Sequence, residues 1–249
     1  MIKLTQEARP DKDKPLKKPD ALGLVPAWSY STLKTFEECP YRTYISKVRK
    51  VREPSGPAAE RGSKIHQEAE DFVNGKLTEF PGSLVKFEDE FHQLKKLYID
   101  GQVELEGEWA FTIDWDQTKW MSTNCWARVK LDAYIQEDQT SARVIDYKTG
   151  KKIGNEIPHS QQCLLYALAA FMRSPELEYV SSELWYLDHG ETTIVPYTRE
   201  EALIFLPGIH ERAIKMTTCD DFAPNPSKHN CKWCSYKKVT NLIVSGAFK

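Results

Sequence analysis

Val144-Ile145-Asp146-Tyr147-Lys148-Thr149-Gly150 is an apolar β run that delivers an acid and a lysine two residues apart and then stops at a glycine. Side chains alternate faces along a strand, so Asp146 and Lys148 point the same way. A carboxylate that can hold a divalent cation stands beside an ammonium that can hold a water or face charge developing on a phosphoryl group. Metal-assisted phosphodiester hydrolysis requires that pairing. An acid and a lysine at a strand end also form plain exposed ion pairs before turns, so the surrounding segments decide between the two readings.

Upstream, Ala127, Val129, Leu131, Ala133 and Ile135 alternate with Arg128, Lys130, Asp132 and Tyr134. That period of two predicts an antiparallel partner strand carrying Asp132. Earlier still, Leu105, Gly107, Trp109, Phe111, Ile113 and Trp115 alternate with Glu104, Glu106, Glu108 and Asp114, a strand with one wet face, followed by a turn region over 116–124. Residues 60–75 read as an amphipathic helix with Ile65, Ala69, Phe72 and Val73 on one face and His66 at its edge, and 84–99 as a second helical stretch. Downstream, Gln161 to Met172 is apolar nearly all round, which predicts a helix buried against the sheet. Strands near 180–187 and 192–197 are joined by the turn Asp188-His189-Gly190. Thr198 and Glu201 form a capping box for a last helix that Pro207 should kink or break. Near the start, Ser29 or Ser31 can cap a helix with Leu33 and Phe36 on one side; Cys39-Pro40 interrupts it, and a short helix follows through Tyr44 and Val48.

With 249 residues, 41% apolar and 11% aromatic, the chain can build one large α/β domain or two small ones. Residues 1–25 are polar and proline-punctuated and read as a flexible arm. No apolar run reaches membrane-spanning length, and the N-terminus is polar where a signal peptide needs an apolar segment, so a cytoplasmic protein is expected. A net charge of −2 argues against a protein that coats nucleic acid by bulk electrostatics, yet it leaves room for a nuclease that uses a local basic channel. No Gly-x-x-x-x-Gly-Lys-Ser/Thr loop is present, so any motor would be a separate protein.

Five segments in order, Ser31-x-Leu33-x-x-Phe36-x-x-Cys39-Pro40, Gly62-x-x-x-His66, Asp132, Asp146-Tyr147-Lys148-Thr149-Gly150 and Gln162-x-x-x-Tyr166, give the chain its likeness to a known family. Over nearly all of its length after residue 28 it resembles the RecB-like branch of the PD-(D/E)XK nuclease superfamily. The resemblance implies an α/β, mixed α+β fold: a restriction-endonuclease-like core whose central mixed β-sheet is flanked by helices. It implies one nuclease domain over 26–240 with a cysteine-containing segment at 219–238 and a tail at 241–249. Asp132 and Asp146, on adjacent strands, offer hard oxygens to Mg²⁺ or Mn²⁺. The family role would have His66 and the carbonyl of Tyr147 complete the metal shell, and an imidazole suits Mn²⁺ better. Lys148 would position or deprotonate the attacking water and stabilise developing charge. Gln162 and Tyr166, one turn apart, would contact the scissile strand or orient Lys148; read alone they also fit a buried amide and phenol. Glu108 is an outer metal or water ligand in this reading, or an ordinary exposed strand acid.

Many members of the branch hold an iron-sulfur cluster with one early and three late cysteines. Cys39, Cys231 and Cys234 match three of those positions, and the stretch after Cys234 lacks the fourth. Cys219 or His229 could stand in, which leaves a cluster with an atypical ligand, a zinc site, or cysteines that simply pack. Cys125 and Cys163 fall in core elements and read as buried thiols. Trp28, Tyr30, Tyr41 and Arg42 could form a single-strand track or belong to the core, and Lys47 to Arg52 and Lys151-Lys152 could contact phosphates or be solvated faces. The expected activity is metal-dependent DNA exonuclease, in recombination, repair or phage DNA processing, acting on single-stranded or duplex ends with a recombination or replication partner and no membrane. The rivals are a non-catalytic nucleic-acid-binding or assembly protein on the same fold, and an endonuclease subunit of a larger complex.

Overall fold

The computed structural model of the protein describes residues 16, 18–52, 55–232, 234 and 236. The part of the expected arm over 1–15 and the tail at 241–249 lie outside the described residues. In chain order the elements are α1 (Tyr30–Glu38), α2 (Pro40–Thr43), a π-helical turn (Tyr44–Val48), α3 (Pro57–Val73), a 3₁₀ segment (Gly82–Phe87), α4 (Glu88–Ile99), β1 (Val103–Phe111), β2 (Gln117–Thr118), β3 (Ala127–Gln136), β4 (Ser141–Lys148), α5 (Glu156–Arg173), β5 (Tyr179–Tyr186), β6 (Glu191–Thr198), α6 (Arg199–Leu203), α7 (Leu206–Thr217) and α8 (Lys228–Lys232). The chain forms two compact units, one from 57–208 and the other from 16–56 with the segment from Ile209 onward.

The first unit is built on a six-stranded sheet in the order β2-β1-β3-β4-β5-β6. Only β4 and β5 run parallel; every other neighbouring pair is antiparallel. A parallel pair needs a long crossover, and α5 supplies it. Strand alternation then divides the core. Ala133, Ile135, Ile145, Tyr147 and Trp185 pack with Ile65, Ala69, Phe72 and Val73 of α3 and with Phe91 and Leu94 of α4. Leu184 and Tyr186, one position out of phase, pack with Cys163 of α5. The expected apolar helix is confirmed by burial of Cys163 and of every residue from Leu165 to Phe171, and it begins five residues earlier than the hydrophobic run shows.

Other boundaries follow from local chemistry. Glu201 N donates to Thr198 Oγ1 (3.2 Å) and Thr198 N to Glu201 Oε2 (2.9 Å), closing the capping box of α6. α6 ends at Leu203, and Pro207 sits in the first turn of α7, where a missing N–H leaves no helical bond unmade. The alternation read through Trp115 stops as a strand at Phe111: Trp115 takes φ 66° and its ring turns in on Phe111 (6.0 Å) and Trp126 (5.9 Å). The following turn region contains the two-residue strand β2, which its polar sequence did not announce.

In the second unit, Ser29 is the cap of α1, accepting from Thr32 N at 3.4 Å. Phe36 and Tyr44 pack on Phe222 (6.2 and 5.6 Å between centroids), and Glu37 forms a two-bond ion pair with Arg212 (2.6 and 2.8 Å). The side-chain amides of Asn225 and Asn230 both donate to the carbonyl of Glu38 (3.1 and 2.8 Å). Gly23 N donates to Thr217 O at 2.7 Å, and a Cβ at Gly23 would lie 2.7 Å from the Cys219 carbonyl, so only glycine permits that approach. No described helix is long and apolar enough to cross a membrane.

Candidate active site

The antiparallel register of β3 and β4 (Ala133↔Ile145, Tyr134↔Val144) carries Asp132 alongside Asp146. Both are nearly buried, at 9% and 7% exposure. Two neighbouring carboxylates removed from water need opposite charge or strong donors, and every oxygen of the pair has one. Asp132 Oδ1 lies 2.9 Å from His66 Nδ1, and its Oδ2 accepts from Tyr147 N at 2.5 Å. Asp146 Oδ2 is 2.5 Å from Lys148 Nζ, while Oδ1 accepts from the Tyr166 hydroxyl and, at 3.3 Å, from Gln162 Nε2. Lys148 Nζ donates to Gln162 Oε1 (2.9 Å), and Gln162 Nε2 to the Tyr166 oxygen (2.6 Å). Asp146, Lys148, Gln162 and Tyr166 thus close a ring. Strand alternation supplies its first two members, and the one-turn spacing on α5 supplies the others.

Burial alone would lower the pKa of His66, but the hydrogen bond and charge of Asp132, with Asp146 and Glu106 farther off, outweigh it and leave it raised. Burial raises the Asp132 carboxyl; His66 opposes that and Asp146 adds to it. The phenols of Tyr147 and Tyr166 are held well above their usual range, first by burial and then by nearby acids, so Tyr166 remains a proton donor to Asp146. The Cys163 thiol is pushed up to about 12 by burial and by Asp146, which makes it inert as a nucleophile.

Glu106 and Glu108 occupy different environments. The β1–β3 register (Leu105↔Ala133, Gly107↔Leu131) brackets Glu106 with Asp132, so Glu106 stands opposite the buried acid. Its backbone takes φ 51°, a left-handed conformation unusual for a side-chain-bearing residue, and Lys130 Nζ holds its Oε2 at 2.7 Å. Glu108, singled out by the sequence reading, is exposed and in register with Lys130. The two acids are equivalent in the alternating pattern, and only strand register separates them.

A family profile described as the PD-(D/E)XK nuclease superfamily matches residues 27–239. The chain belongs to the PD-(D/E)XK nuclease superfamily. Its six-stranded mixed sheet flanked by helices is the restriction-endonuclease-like fold expected of that membership. No curated protein matches this nuclease. Among solved structures it is similar to the crystal structure of SSO0001, with 17% identity, 90% of this chain and 87% of that chain covered, and a TM-score of 0.49. It is also similar to a protein from Eubacterium rectale named as a candidate exonuclease, with 12% identity, coverage of 86% and 88%, and a TM-score of 0.46.

In this nuclease Gly62 lies one turn before His66 on α3, and a Cβ there would come within 3.1 Å of Thr149 Oγ1. The helix therefore passes close to the turn that follows Lys148. Of the two basic residues after that turn, Lys152 sits 5.9 Å over the Tyr186 ring and Lys151 is exposed. Trp28 is only 2% exposed and belongs to the core of the second unit, while Tyr41 stacks on Tyr44 at 6.1 Å. Cys39 Sγ accepts from Asn225 N at 3.5 Å, and Cys219 Sγ lies 3.2 Å from the Asp221 carbonyl. Cys231 and Cys234 are half-buried free thiols, and His229 lies on α8 beside Cys231. Among the described residues no three of His, Cys, Asp or Glu converge as a ready cation site. At this candidate site the chemistry of two buried carboxylates and an imidazole nonetheless suits a hard divalent cation. Lys148 supplies positive charge beside Asp146, and His66 a hydrogen bond to Asp132.

Proposed function

We propose that this nuclease is a metal-dependent deoxyribonuclease of the RecB-like branch that degrades DNA from its ends. The observation that carries the reading is the closed ring of Asp146, Lys148, Gln162 and Tyr166 beside the Asp132–His66 pair. Asp132, Asp146, His66 and the Tyr147 carbonyl would hold Mg²⁺ or Mn²⁺, which when bound acts as a Lewis acid and acidifies a water. The chain's own groups do the positioning. Gln162 fixes the Lys148 ammonium, which holds the attacking water and faces the charge that develops on the phosphoryl oxygens. Tyr166 fixes Asp146 by donation. Glu106, opposite Asp132, takes the outer acid role. The setting that fits the composition is the cytoplasm, in recombination, repair or phage DNA processing.

The experiment is digestion of end-labelled linear and circular DNA, single- and double-stranded, with Mg²⁺, Mn²⁺ or EDTA. Metal-dependent loss of linear DNA alone supports the reading; cutting of circles shows an endonuclease, and binding without cleavage under every condition removes the catalytic reading. In the same assay Glu106→Gln should lower the rate by about tenfold or more, as loss of a site hydrogen-bonding group does, while Glu108→Gln stays near wild type. Equal effects of the two substitutions would reject the assignment to Glu106.

Cation affinity should depend on pH through His66. The imidazole binds a cation only when neutral, and Asp132 holds its pKa above the usual value. Below that raised pKa the ring keeps its proton and repels the cation; above it the ring is free. Mn²⁺ affinity measured by calorimetry should therefore climb with pH and level off above the usual histidine value of about 6.5. His66→Asn should flatten the climb, and a wild-type affinity that does not change between slightly acidic and alkaline buffers would rule His66 out as a ligand.

A further inference from the structure

The second unit contains a cavity of about 370 Å³ whose lining is basic and hydroxylic, with Arg42, Lys47 and Arg52 around Ser31, Thr35 and Thr43 and no acidic side chain among the lining residues. Three observations mark it as more than a solvated charged surface.

The first is the charge itself. Arg42, Lys47 and Arg52 all line the cavity, with no acid among the described lining residues. Such a concavity raises the local concentration of anions, and an arginine fork matches a phosphate.

The second is Thr43. It is 0% exposed, and its hydroxyl is buried with no hydrogen-bond partner among the described residues. The neighbouring hydroxyls of the cavity are committed to the backbone: Thr35 Oγ1 donates to Ser31 O at 2.9 Å and Ser46 Oγ to Thr43 O at 3.2 Å. A buried hydroxyl without a partner is a net cost to the fold, and such groups in native proteins call for an explanation. A ligand oxygen would supply one.

The third is the backbone. Directly after Thr43 the helix widens into the π turn Tyr44–Val48, with Arg49 N donating to Tyr44 O at 3.0 Å. Lys50 then takes φ 52°, and Val51 N returns to Ile45 O at 3.1 Å. The Tyr236 hydroxyl fixes the end of this segment by donating to Val51 O at 2.7 Å. π turns inside helices concentrate at functional sites, and this one carries Lys47 and leads to Arg52.

We propose that this cavity is a binding site for a phosphate ester, recognised by Arg42, Lys47 and Arg52 with Thr43 as a buried hydroxyl donor. The ester is carried either by a nucleic-acid strand or by a free nucleotide, and the volume admits a phosphate with its attached sugar. The site belongs to the second unit alone and does not depend on the catalytic reading, so it can be measured with metal chelated.

The test is binding of a fluorescent single-stranded oligothymidylate, of dTMP and of inorganic phosphate in EDTA to the full chain, for wild type, Thr43→Val and Lys47→Gln, with melting temperatures recorded. Thr43→Val keeps the shape and removes a hydroxyl that lacks a partner among the described residues, so its melting temperature should not fall while affinity drops at least threefold. Lys47→Gln, at an exposed position, should drop affinity about tenfold. Weakening for dTMP as well as the oligomer identifies a nucleotide-sized site; weakening for the oligomer alone identifies a strand phosphate. The proposal is overturned if wild type binds none of the three probes, or if Thr43→Val melts like wild type and binds them equally well. Should Thr43→Val melt lower, Lys47→Gln decides, and unchanged affinity there overturns the proposal equally.

Discussion

Lys148→Met should slow cleavage of linear DNA by about a thousandfold at saturating Mn²⁺, within the range seen when a proton-transfer or charge-stabilising group is removed. The Lys148 side chain is 20% exposed, its Nζ 2.5 Å from Asp146 Oδ2 and 2.9 Å from Gln162 Oε1. Methionine preserves the length and the apolar stem, so packing along β4 survives while the ammonium is lost. Asp146 then loses its nearest cation and Gln162 its donor, a structural cost of about 1–3 kcal/mol. That cost shows as a lower melting temperature rather than as loss of fold. Lys148→Arg should not restore the rate, because a planar fork cannot occupy the position of a compact ammonium between those two oxygens. Rates on end-labelled substrate, with DNA affinity in EDTA as the control, decide the matter. If Lys148→Met keeps more than roughly a tenth of wild-type activity, the group that handles the water lies elsewhere.

The elements around that lysine were legible because each has a pattern tied to one geometry. The period of two from Ala127 to Ile135, the all-round apolar helix after Gln161 and the Thr198–Glu201 box correspond to β3, α5 and the start of α6. The shared face of Asp146 and Lys148 followed from strand alternation alone. What Gln162 and Tyr166 touch did not, since their spacing fixes a helix face but not what lies opposite. The choice between Glu106 and Glu108 was equally closed to sequence. A strand shifted by two residues keeps every side chain on its face, so the alternating acids carry no mark of which one meets Asp132. The π turn at Tyr44–Val48 has the sequence of an ordinary short helix, since its departure lies in backbone hydrogen bonding that side-chain periodicity does not encode. Cys39, Cys231 and Cys234 present the converse case: the spacing is conspicuous, and the second unit holds Cys39 close to Asn225 without gathering a ligand set among the described residues.

Phe91→Ala should destabilise the first unit by about 3–5 kcal/mol, as expected for an aromatic side chain removed from a closed core. Phe91 is 0% exposed, with its ring 5.2 Å from Tyr147 and 5.5 Å from Trp185, and Trp185 in turn stacks on Phe87 at 5.3 Å. Those contacts reach the chemistry through one residue. Tyr147 lies between Asp146 and Lys148, and its backbone N–H is the donor to Asp132 Oδ2 at 2.5 Å. A cavity under the Tyr147 ring frees it to shift, and the strand segment carrying the acid and the lysine shifts with it. Activity per folded molecule should therefore fall along with stability. Urea unfolding with cleavage rates measured well below the transition separates the two effects. Ile194→Ala, at a position 58% exposed on β6, serves as the surface control and should change stability by less than about 0.5 kcal/mol. Phe91→Leu, which fills most of the space, should recover much of the loss in both measurements. If Phe91→Ala loses stability but cleaves at the wild-type rate per folded molecule, the pairing of β4 with β3 and β5 is enough to hold the site, and the aromatic cluster beneath it serves stability alone.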